Sequence, residues 1–486
     1  MKRIEIDPIT RLEGHGKITI FLNDEGDVEN AFLQIPELRG FEKFVEGLPV
    51  EEVPRVVTRI CGVCPAAHHM ASGKAVDAVY NIKPPAAAAK LRELYYMAHF
   101  IHSHAVHFYA LAAPDFVVGP DAPASDRNIL GLIGKLGLEV GKEIIRQRAI
   151  SQEIQIIVGG RATHPVWNLP GGVSKALNRD EWEKLGPMVE DQIKFGELGL
   201  KLFDDVVLGN KAYVDLIMGD GYELVTNYMG LVDDQNKVTF YEGKVRVVDT
   251  EGKELFKYSE PEYTQYIAEH VEPYTYLKFP YLKQIGWKGF MEGQGTSIYQ
   301  AAPLARLNAA DGMATPKAQA HFEKMYETLG GKPSHKLLAA HWARLIELLY
   351  AAERMLELYN DEEILDPNVR VVPSTTPSEG VGIIEAPRGT LTHHYWTDEN
   401  GIVTKANMIV GTTNNNAPIS MAVKKAAQTF IKKDGEVTDG LLNMVEMAFR
   451  LFDPCLSCAT HSLPGQMPLT VEIKNEDGET IRTVSR

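Results

Sequence analysis

The four cysteines of this 486-residue chain constrain its fold more than any other feature of the sequence. They form two Cys-x-x-Cys pairs, Cys61 with Cys64 near one end of the chain and Cys455 with Cys458 near the other. Two intervening residues allow both sulfurs of a pair to face one metal centre. If the two pairs share that centre, the chain has to fold so that its two ends meet in the interior.

The residues alone leave several interpretations of these pairs open. Buried structural thiols are disfavoured, because every cysteine belongs to one of two equally spaced pairs. A disulfide or redox dithiol is disfavoured, because no thioredoxin-like βαβ pattern surrounds either pair. A structural zinc site usually takes both pairs from one short segment and stabilises a small fold, which a chain of this size does not need. Soft thiolates also bind iron and nickel, and this class remains.

Composition and charge exclude several other classes of protein. Hydrophobic residues make up 44% and charged residues 24% of the chain, which excludes disordered, collagen-like and fibrous proteins. The formal net charge of −15 argues against binding to nucleic acid or to an anionic membrane. The N-terminal residues lack an export signal, and no apolar stretch reaches the roughly 18 residues of a membrane span. The sequence therefore predicts a cytoplasmic protein.

Hydrophobic periodicity predicts one large, mainly helical α+β unit over residues 1–486. We expect a central bundle of long helices with β segments at its periphery, and we find no linker or internal repeat that separates domains. Helices are predicted from about Asn128 to Val158 and from Arg179 to Phe203, the latter with Asn178 as its N-cap. The other predicted parts are a β start at about 2–38, a helical core at about 85–207 and 316–361, a β insert at about 212–258, a β segment at about 381–411 and a metal-ligand segment at 453–461. The tail at 462–486 alternates as a hairpin does, with a turn predicted at Asp477 and Gly478.

Several motifs together resemble the large subunit of nickel–iron hydrogenases. Arg-x-Cys-Gly-x-Cys-x-x-x-His begins at Arg59, and Asp-Pro-Cys-x-x-Cys-x-x-His begins at Asp453. The resemblance runs from Ile6 to beyond His461, in the order typical of the family. The related large subunit of quinone-reducing respiratory complexes lacks the four cysteines, so their presence argues against it. The intermediate motifs are Arg11-Leu12-Glu13-Gly14-His15, Arg39-Gly40-Phe41-Glu42, His104-x-x-His107-Phe108-Tyr109 and Glu385-Ala386-Pro387-Arg388-Gly389.

The resemblance implies the large-subunit fold of this family and a four-thiolate nickel–iron centre. Cys61 and Cys455 would be terminal nickel ligands, while Cys64 and Cys458 would bridge nickel to iron. In the family the iron also carries one carbon monoxide and two cyanides. Such a centre catalyses the reversible heterolytic cleavage of H2 to protons and electrons.

A second metal ion is also implied by the resemblance. Glu42 and His461 would help to bind Mg2+ or Fe2+ near the C-terminus of the mature protein, and oxygen and imidazole ligands suit either ion. In most of the family a protease removes the residues after this histidine. We therefore expect the active protein to end at His461, without the tail 462–486.

Three residues match family positions that act beside the metals. Glu13 matches the first proton acceptor, since cleavage of H2 releases a proton that a nearby base has to take up. Arg388 matches the arginine that overhangs the open site between the metals. Thr412 lies where the family places a hydroxyl that forms a hydrogen bond with a cyanide.

Two further residues and one departure concern the surroundings of the centre. His68 is expected to donate a hydrogen bond to a bridging sulfur, and Asp453 is a candidate ion-pair partner of Arg388. Some family members carry an aspartate in the His-x-His element where this chain has Ser103. The missing carboxylate puts the hydrogen bonding of Arg388 in doubt. His69, His102, His393 and His394 are expected to be structural.

The implied partner is an iron–sulfur small subunit, because the metal centre uses every cysteine of the chain and leaves none for an iron–sulfur cluster. The C-terminal motif most resembles the cytoplasmic, bidirectional group of NAD-linked, F420-linked, heterodisulfide-reductase-linked and electron-bifurcating enzymes. Further electron-transfer subunits with flavin, NAD(P), ferredoxin, F420 or heterodisulfide reductase modules are therefore expected. Two alternatives stay open, a metal-free scaffold subunit of a respiratory complex and a zinc-stabilised interaction protein, and metal analysis separates them.

Overall fold

The computed structural model describes residues 2–433, 435–461, 470–474 and 480–485. The largest cluster of buried hydrophobic residues extends from Ile6 to Ala459, so both ends of the chain contribute to one core. The helices are α1 Phe41–Phe44, α2 Val53–Val56, α3 Pro65–Val79, α4 Ala86–Ala105, α5 Pro114–Val117, α6 Ile129–Leu136, α7 Leu138–Gly159, α8 Arg179–Phe203, α9 Lys211–Met218, α10 Tyr263–Tyr266, α11 Pro303–Ala309, α12 Pro316–Leu329, α13 Ala340–Asn360, α14 Asn416–Phe430, α15 Asp439–Arg450 and α16 Leu456–Ala459.

The long helices α4, α7, α8 and α13 pack against one another as a central bundle, as the sequence predicts. Helices α4 and α13 are buried over most of their surface, because they are hydrophobic on nearly all faces. Helix α8 begins where predicted. Asn178 accepts a hydrogen bond from the backbone N–H of Glu181, whose side chain in turn accepts one from the N–H of Asn178, and this capping box satisfies two free donors of the first turn.

Two helical segments differ from their predicted extents. The helix predicted from Asn128 to Val158 is divided into α6 and α7 by Gly137, whose φ of 94° only glycine adopts readily. The β insert predicted from residue 212 begins instead with helix α9. Asn210 caps that helix by accepting a hydrogen bond from the N–H of Ala212, a side-chain contact that a search for alternating residues does not detect.

The strands form separate small sheets around the bundle. Strands β1, β2 and β3 form an antiparallel meander, β6 lies at the centre of a six-stranded sheet, and β14, β15 and β16 form a third antiparallel sheet. The strands are β1 Lys2–Ile6, β2 Lys17–Leu22, β3 Val28–Gln34, β4 Asn168–Leu169, β5 Gly172–Val173, β6 Asn227–Val232, β7 Lys237–Val238, β8 Lys244–Val248, β9 Glu254–Tyr258, β10 Ile267–Val271, β11 Lys278–Leu282, β12 Tyr299–Gln300, β13 Gly312–Met313, β14 Glu379–Ala386, β15 Gly389–Thr397, β16 Val403–Ile409, β17 Thr470–Lys474 and β18 Thr480–Ser485.

Close packing of strand β14 against helix α3 positions part of the candidate site. A Cβ atom added at Gly380 or Gly382 would lie 2.3 Å from a backbone oxygen of α3, that of Ala75 or Ala71. Only glycine permits such an approach. Helix α3 begins directly after Cys64, and the tight turn between β14 and β15 carries Arg388, so this contact fixes the arginine relative to the first cysteine pair.

The tail contains the hairpin that its alternation predicts. Strands β17 and β18 pair antiparallel, with Val471 opposite Val484, whereas the turn predicted at Asp477 and Gly478 lies outside the described residues. Among the residues that the structure describes, no helix is both long and apolar enough to cross a membrane.

Candidate metal centre

The four cysteine sulfurs converge in the interior, although the two pairs come from opposite ends of the chain. The Sγ atoms of Cys61 and Cys455 lie 3.1 Å apart, those of Cys64 and Cys458 lie 4.0 Å apart, and those of Cys455 and Cys458 lie 2.8 Å apart. All four thiols are free and buried. The first pair lies between a short 3-10 turn and α3, and the second flanks the start of α16.

This sulfur cluster has the dimensions of a metal site. All four Sγ atoms lie within 4.8 Å of one another, close to the span of about 4.6 Å that sulfurs at about 2.3 Å from one ion can cover. The backbone N–H groups of Val63 and Cys64 donate to the sulfur of Cys61 at 3.3 and 3.2 Å. Hydrogen bonds from the neighbouring cysteines, of which Cys455 contributes most, hold the pKa of Cys61 well below its usual value. Burial is the largest cause that raises the pKa values of Cys455 and Cys458, so Cys61 is the cysteine of the cluster that most favours the thiolate form.

A direct backbone contact joins the two ends of the chain at this cluster. Glu13 and Cys455 form a parallel β-bridge, and the N–H of Leu456 donates to the carbonyl of Glu13 at 3.0 Å. Gly14 has a φ of 88°, and a Cβ there would lie 2.9 Å from the Cβ of Leu456. A larger residue at position 14 would therefore push the second cysteine pair away.

The carboxylate of Glu13 lies against a cysteine sulfur. The thiol of Cys455 donates to Glu13 Oε2 at 2.9 Å. Ser457 holds the same carboxylate through its backbone N–H at 3.3 Å and through its hydroxyl. Glu13 is half-buried, so it lies between the enclosed sulfurs and the surface.

Each terminal nitrogen of Arg388 has a hydrogen-bond acceptor, and Ser103 is one of the two acceptors although it replaces a carboxylate. One terminal nitrogen donates to the hydroxyl of Ser103 at 3.2 Å, and the other donates to Asp453 at 3.1 Å. A hydroxyl accepts such a bond as a carboxylate does, whereas Nε of Arg388 is buried without a hydrogen-bond partner among the described residues. Burial alone would lower the pKa of Arg388. The negative charges of Asp453 and of the cysteines, among which Cys64 contributes most, outweigh burial and raise this pKa above its ordinary value.

Asp453 and Thr412 fix the second cysteine pair from two sides. Burial raises the pKa of Asp453 to about 6, although Arg388 acts to lower it. Asp453 adopts the left-handed region with a φ of 53°, which turns the chain sharply before Cys455. The hydroxyl oxygen of Thr412 accepts a hydrogen bond from the N–H of Cys455 at 3.0 Å.

His68 does not form the hydrogen bond to a bridging sulfur that the sequence predicts. Its Nδ1 lies 3.1 Å from Nε2 of His393, while its Nε2 is buried without a hydrogen-bond partner. His393 contacts the hydroxyl of Tyr395, which donates to Ser72. This polar chain turns the ring toward β15, and burial lowers the pKa of His68 to about 3. His68 nevertheless lines one small cavity together with Cys64, Cys455, Arg388 and Thr412.

A second cluster, formed by carboxylate and imidazole side chains, lies just after the second cysteine pair. Nδ1 of His461 is 3.6 Å from Glu42 Oε1, and its Nε2 is 2.6 Å from Glu269 Oε1. His461 is fully buried, and Arg39 pairs with Glu42 and donates to the carbonyl of Cys458 at 2.7 Å. The structure therefore brings Glu42 and His461 together, as predicted.

Comparison with known proteins agrees with this arrangement. A family model described as nickel-dependent hydrogenase matches residues 39–128 and 142–461, and one described as HoxL-like matches residues 3–38. The chain belongs to the nickel-dependent hydrogenase family. It is therefore the large, catalytic subunit of a hydrogenase, an oxidoreductase that acts on H2, with four cysteines placed to bind nickel and iron.

Relatives and a solved structure place the chain within this hydrogenase family. It is 52% identical to an F420-non-reducing hydrogenase iron-sulfur subunit of Archaeoglobus profundus, over 100% of this chain and 99% of the relative. It is 37% identical to the NAD-reducing hydrogenase HoxS subunit beta of Cupriavidus necator, over 99% of each chain. The crystal structure of an NAD+-reducing [NiFe]-hydrogenase in the H2-reduced state superimposes with a TM-score of 0.88 at 38% identity, covering 95% of this chain and 100% of the other.

Sequence reasoning missed one residue of the second cluster. Glu269 lies on strand β10, and its carboxylate contacts His461 from the side opposite Glu42. No motif surrounds Glu269, and it is one of 65 acidic residues in the chain. Only the folded chain brings Glu269 to His461. Its strand pairs with β11, which begins next to the isolated bridge between Leu277 and Thr460.

Proposed function

We propose that the four thiolates hold a nickel–iron centre whose iron carries one carbon monoxide and two cyanides, and that Glu13 accepts the proton released from H2. When bound, this centre supplies the heterolytic cleavage of H2. The observation that carries the proposal is the 2.9 Å contact between Cys455 Sγ and Glu13 Oε2, since it gives the proton a direct route from a metal ligand to a base.

The geometry of Glu13 meets the requirements for a general base. A base has to lie within about 2.6–3.2 Å of the proton donor, and the contact with Cys455 does so. The two hydrogen bonds from Ser457 stop the carboxylate from rotating away. Because Glu13 is half-buried, it can receive a proton from the enclosed sulfur and release it toward solvent.

Arg388 and Thr412 are suited to hold the diatomic ligands of the iron. Ser103 and Asp453 fix the guanidinium of Arg388 in the cavity that Cys64 and Cys455 also line. Thr412 accepts a hydrogen bond from the backbone, so its own hydroxyl proton is available for donation to a cyanide. Asp453 thus acts through Arg388, and His68 completes the wall of the cavity.

The second cluster supports an Mg2+ or Fe2+ site with Glu42, Glu269 and His461. Two carboxylates and one imidazole suit either ion, and water would complete the coordination. We extend the proposal to the tail: the mature chain ends at His461, and the tail 462–486 is removed, as the family resemblance implies. His461 is held in place by Glu42 and Glu269 of the second cluster.

An iron–sulfur small subunit is the proposed electron acceptor of the centre. The support is that all four cysteines lie in the sulfur cluster, which leaves no thiolate for an iron–sulfur cluster of the chain's own. Further electron-transfer subunits with flavin, NAD(P), ferredoxin, F420 or heterodisulfide reductase modules are proposed from the resemblance of the C-terminal motif, and the likeness to an F420-non-reducing and an NAD-reducing hydrogenase supports them. A cytoplasmic location stays the prediction of the sequence.

The substitution Glu13→Gln tests the proposed base. It keeps the shape and one of the two hydrogen bonds from Ser457, because an amide has a single acceptor oxygen, and it removes the proton acceptor, so we expect nickel content to be unchanged. H2 oxidation and H/D exchange with solvent should fall by about 100-fold to 10,000-fold, the usual contribution of a positioned base.

The matched control is Glu37→Gln, because Glu37 is a nearby half-buried glutamate that pairs with His15 and not with a cysteine. The control should retain most of the activity. Full H/D exchange in Glu13→Gln, or equal losses of nickel and stability in that variant, would contradict the proposed role.

A further inference from the structure

We propose that the buried ammonium group of Lys278 binds the carboxylate that removal of the tail creates on His461, so that strand β11 carries a binding site for the C-terminus of the mature chain. The inference rests on the proposed function, in which the chain ends at His461. Hydrolysis of the peptide bond between His461 and Ser462 consumes one water molecule. It leaves a carboxylate on His461 and an ammonium group on the released tail.

Lys278 is a buried cation whose partner is a neutral group. It is the first residue of β11 and is fully buried. Its Nζ donates to the backbone carbonyl of Tyr276 at 3.2 Å, and it forms no ion pair with a carboxylate of the described residues. Burying a charge is costly unless an opposite charge compensates it. The ammonium group therefore lacks the anion that its position in the interior requires.

The backbone register places this ammonium group beside the new end of the chain. Leu277 and Thr460 form an isolated antiparallel bridge. Continuing that register by one residue puts His461 opposite Tyr276, with Cα atoms about 5 Å apart. Because Nζ of Lys278 lies at the carbonyl of the same Tyr276, a carboxylate on His461 would form within reach of this flexible side chain.

Two neighbouring side chains agree with this position. The amide of Asn416 donates to the carbonyl of Lys278 at 2.8 Å and to that of Ala459 at 3.3 Å, so the start of β11 and the end of the metal-ligand segment lie side by side. Burial lowers the pKa of Lys278, and the negative charge of Glu269, which contacts His461, acts in the opposite direction. Lys278 thus lies at the edge of the second cluster.

Arg39 is the alternative cation for the new carboxylate, but its charge is already engaged. It pairs with Glu42 and donates to the carbonyls of Cys458 and Met408 at 2.7 and 3.0 Å. Lys278 has no such set of partners, so it is the cation that remains for the new carboxylate.

The proposed ion pair depends on the state of the tail. While the tail is attached, residue 461 ends in a neutral amide carbonyl, and Lys278 has no new charge to bind. After removal of the tail, a buried negative charge appears and the ammonium group compensates it. Loss of the lysine should therefore destabilise the mature chain and leave the tailed chain unaffected.

The test compares the tail-free chain in its nickel-loaded complex with the tailed chain from cells deprived of nickel, and intact mass identifies each form. Lys278→Met removes the charge and keeps most of the apolar length, whereas Lys278→Arg keeps the charge. Lys283→Met is the control, because Lys283 follows β11, is exposed and donates to the carbonyl of Thr264 at 2.8 Å.

We expect Lys278→Met to lower the melting temperature of the tail-free chain by about 3–5 °C, the effect of breaking a buried ion pair in a chain of this length. The melting temperature of the tailed chain should not change. Lys278→Arg should recover most of the loss, and Lys283→Met should match the wild-type chain in both forms.

Each other outcome overturns the inference. A wild-type melting temperature in tail-free Lys278→Met would show that the carboxylate has another partner. Equal losses in both forms would assign Lys278 to folding, and a nickel-loaded variant that keeps its tail would assign it to recognition by the protease. If the active wild-type complex itself retained the tail, intact mass would show that the proposed removal of the tail had failed, so the two failures are distinguishable.

Discussion

The sulfur cluster and the cluster of Glu42, Glu269 and His461 are built from opposite kinds of ligand. Four soft thiolates converge in the first, whereas two carboxylates and one imidazole converge in the second. The two clusters adjoin each other in the sequence, because only α16 and Thr460 stand between Cys455 of the first and His461 of the second. Each cluster draws ligands from both ends of the chain, so each depends on the same closure of the fold.

The difference shows which ligands a sequence reveals. Cysteine is rare here, and its four copies are paired, so the spacing singles out all four residues of the sulfur cluster, and the family motifs around them specify the centre. Glutamate is common and Glu269 lies on an ordinary strand, so only the fold brings it to His461. Chemistry also differs: thiolates bind redox-active nickel and iron, whereas oxygen ligands suit Mg2+ or Fe2+.

The largest effect is expected from Cys64→Ser, which tests whether the sulfur cluster tolerates a hard ligand. A serine hydroxyl stays protonated and binds soft metals poorly. We expect nickel content and H2 oxidation to be lost, as measured by elemental analysis and a gas-consumption assay. Val63→Ala, between the two cysteines, should keep both. Near-normal H2 oxidation in Cys64→Ser would refute the ligand assignment.

A smaller effect is expected from Glu269→Gln, which tests whether the second cluster is independent of the first. The amide keeps the shape but removes a negative charge, so the bound Mg2+ or Fe2+ should fall well below one per chain while nickel stays near one. Glu272→Gln is the control, since Glu272 pairs with His270 at 2.9 Å and lies outside the cluster. Equal loss of nickel and the second metal would show that the clusters form one unit.

How far the sequence predicts the fold can be seen in particular elements. Helix α8 was predicted at its observed bounds, because Asn178 and Glu181 form a capping box that is visible in the sequence. The break at Gly137 and the helix that begins at Lys211 were missed, since a single glycine or a single cap is a weak local signal. The side-chain contacts of the site were the least predictable.

Two side chains of the site illustrate how far the sequence predicts side-chain contacts. His68 was expected to donate to a bridging sulfur; the structure engages its Nδ1 with His393 and leaves its Nε2 unpaired, in a residue that lines the same cavity as Cys64. The hydrogen bonding of Arg388 was in doubt because Ser103 replaces a carboxylate, but Ser103 supplies an acceptor across 285 residues of sequence. Both outcomes depend on residues that only the folded chain brings together.

The smallest effect is expected from Ser103→Ala, which removes one of the two anchors of Arg388. Loss of one hydrogen bond costs about 1 kcal/mol, so kcat should fall about fivefold while metal content stays constant. Ser72→Ala is the matched control, since Ser72 is also a buried hydroxyl that accepts a hydrogen bond, there from Tyr395. An unchanged kcat would show that Asp453 alone positions the arginine.

Infrared spectroscopy of the purified complex tests the central claim most directly. Metal-bound carbon monoxide and cyanide absorb in a window in which proteins, zinc sites and free thiols are silent. The proposed centre predicts one carbon monoxide band and two cyanide bands, together with nickel and iron in equal amounts at the sulfur cluster. A silent window, with zinc as the metal bound or with no metal at all, would contradict the assignment of the four cysteines to a nickel–iron centre.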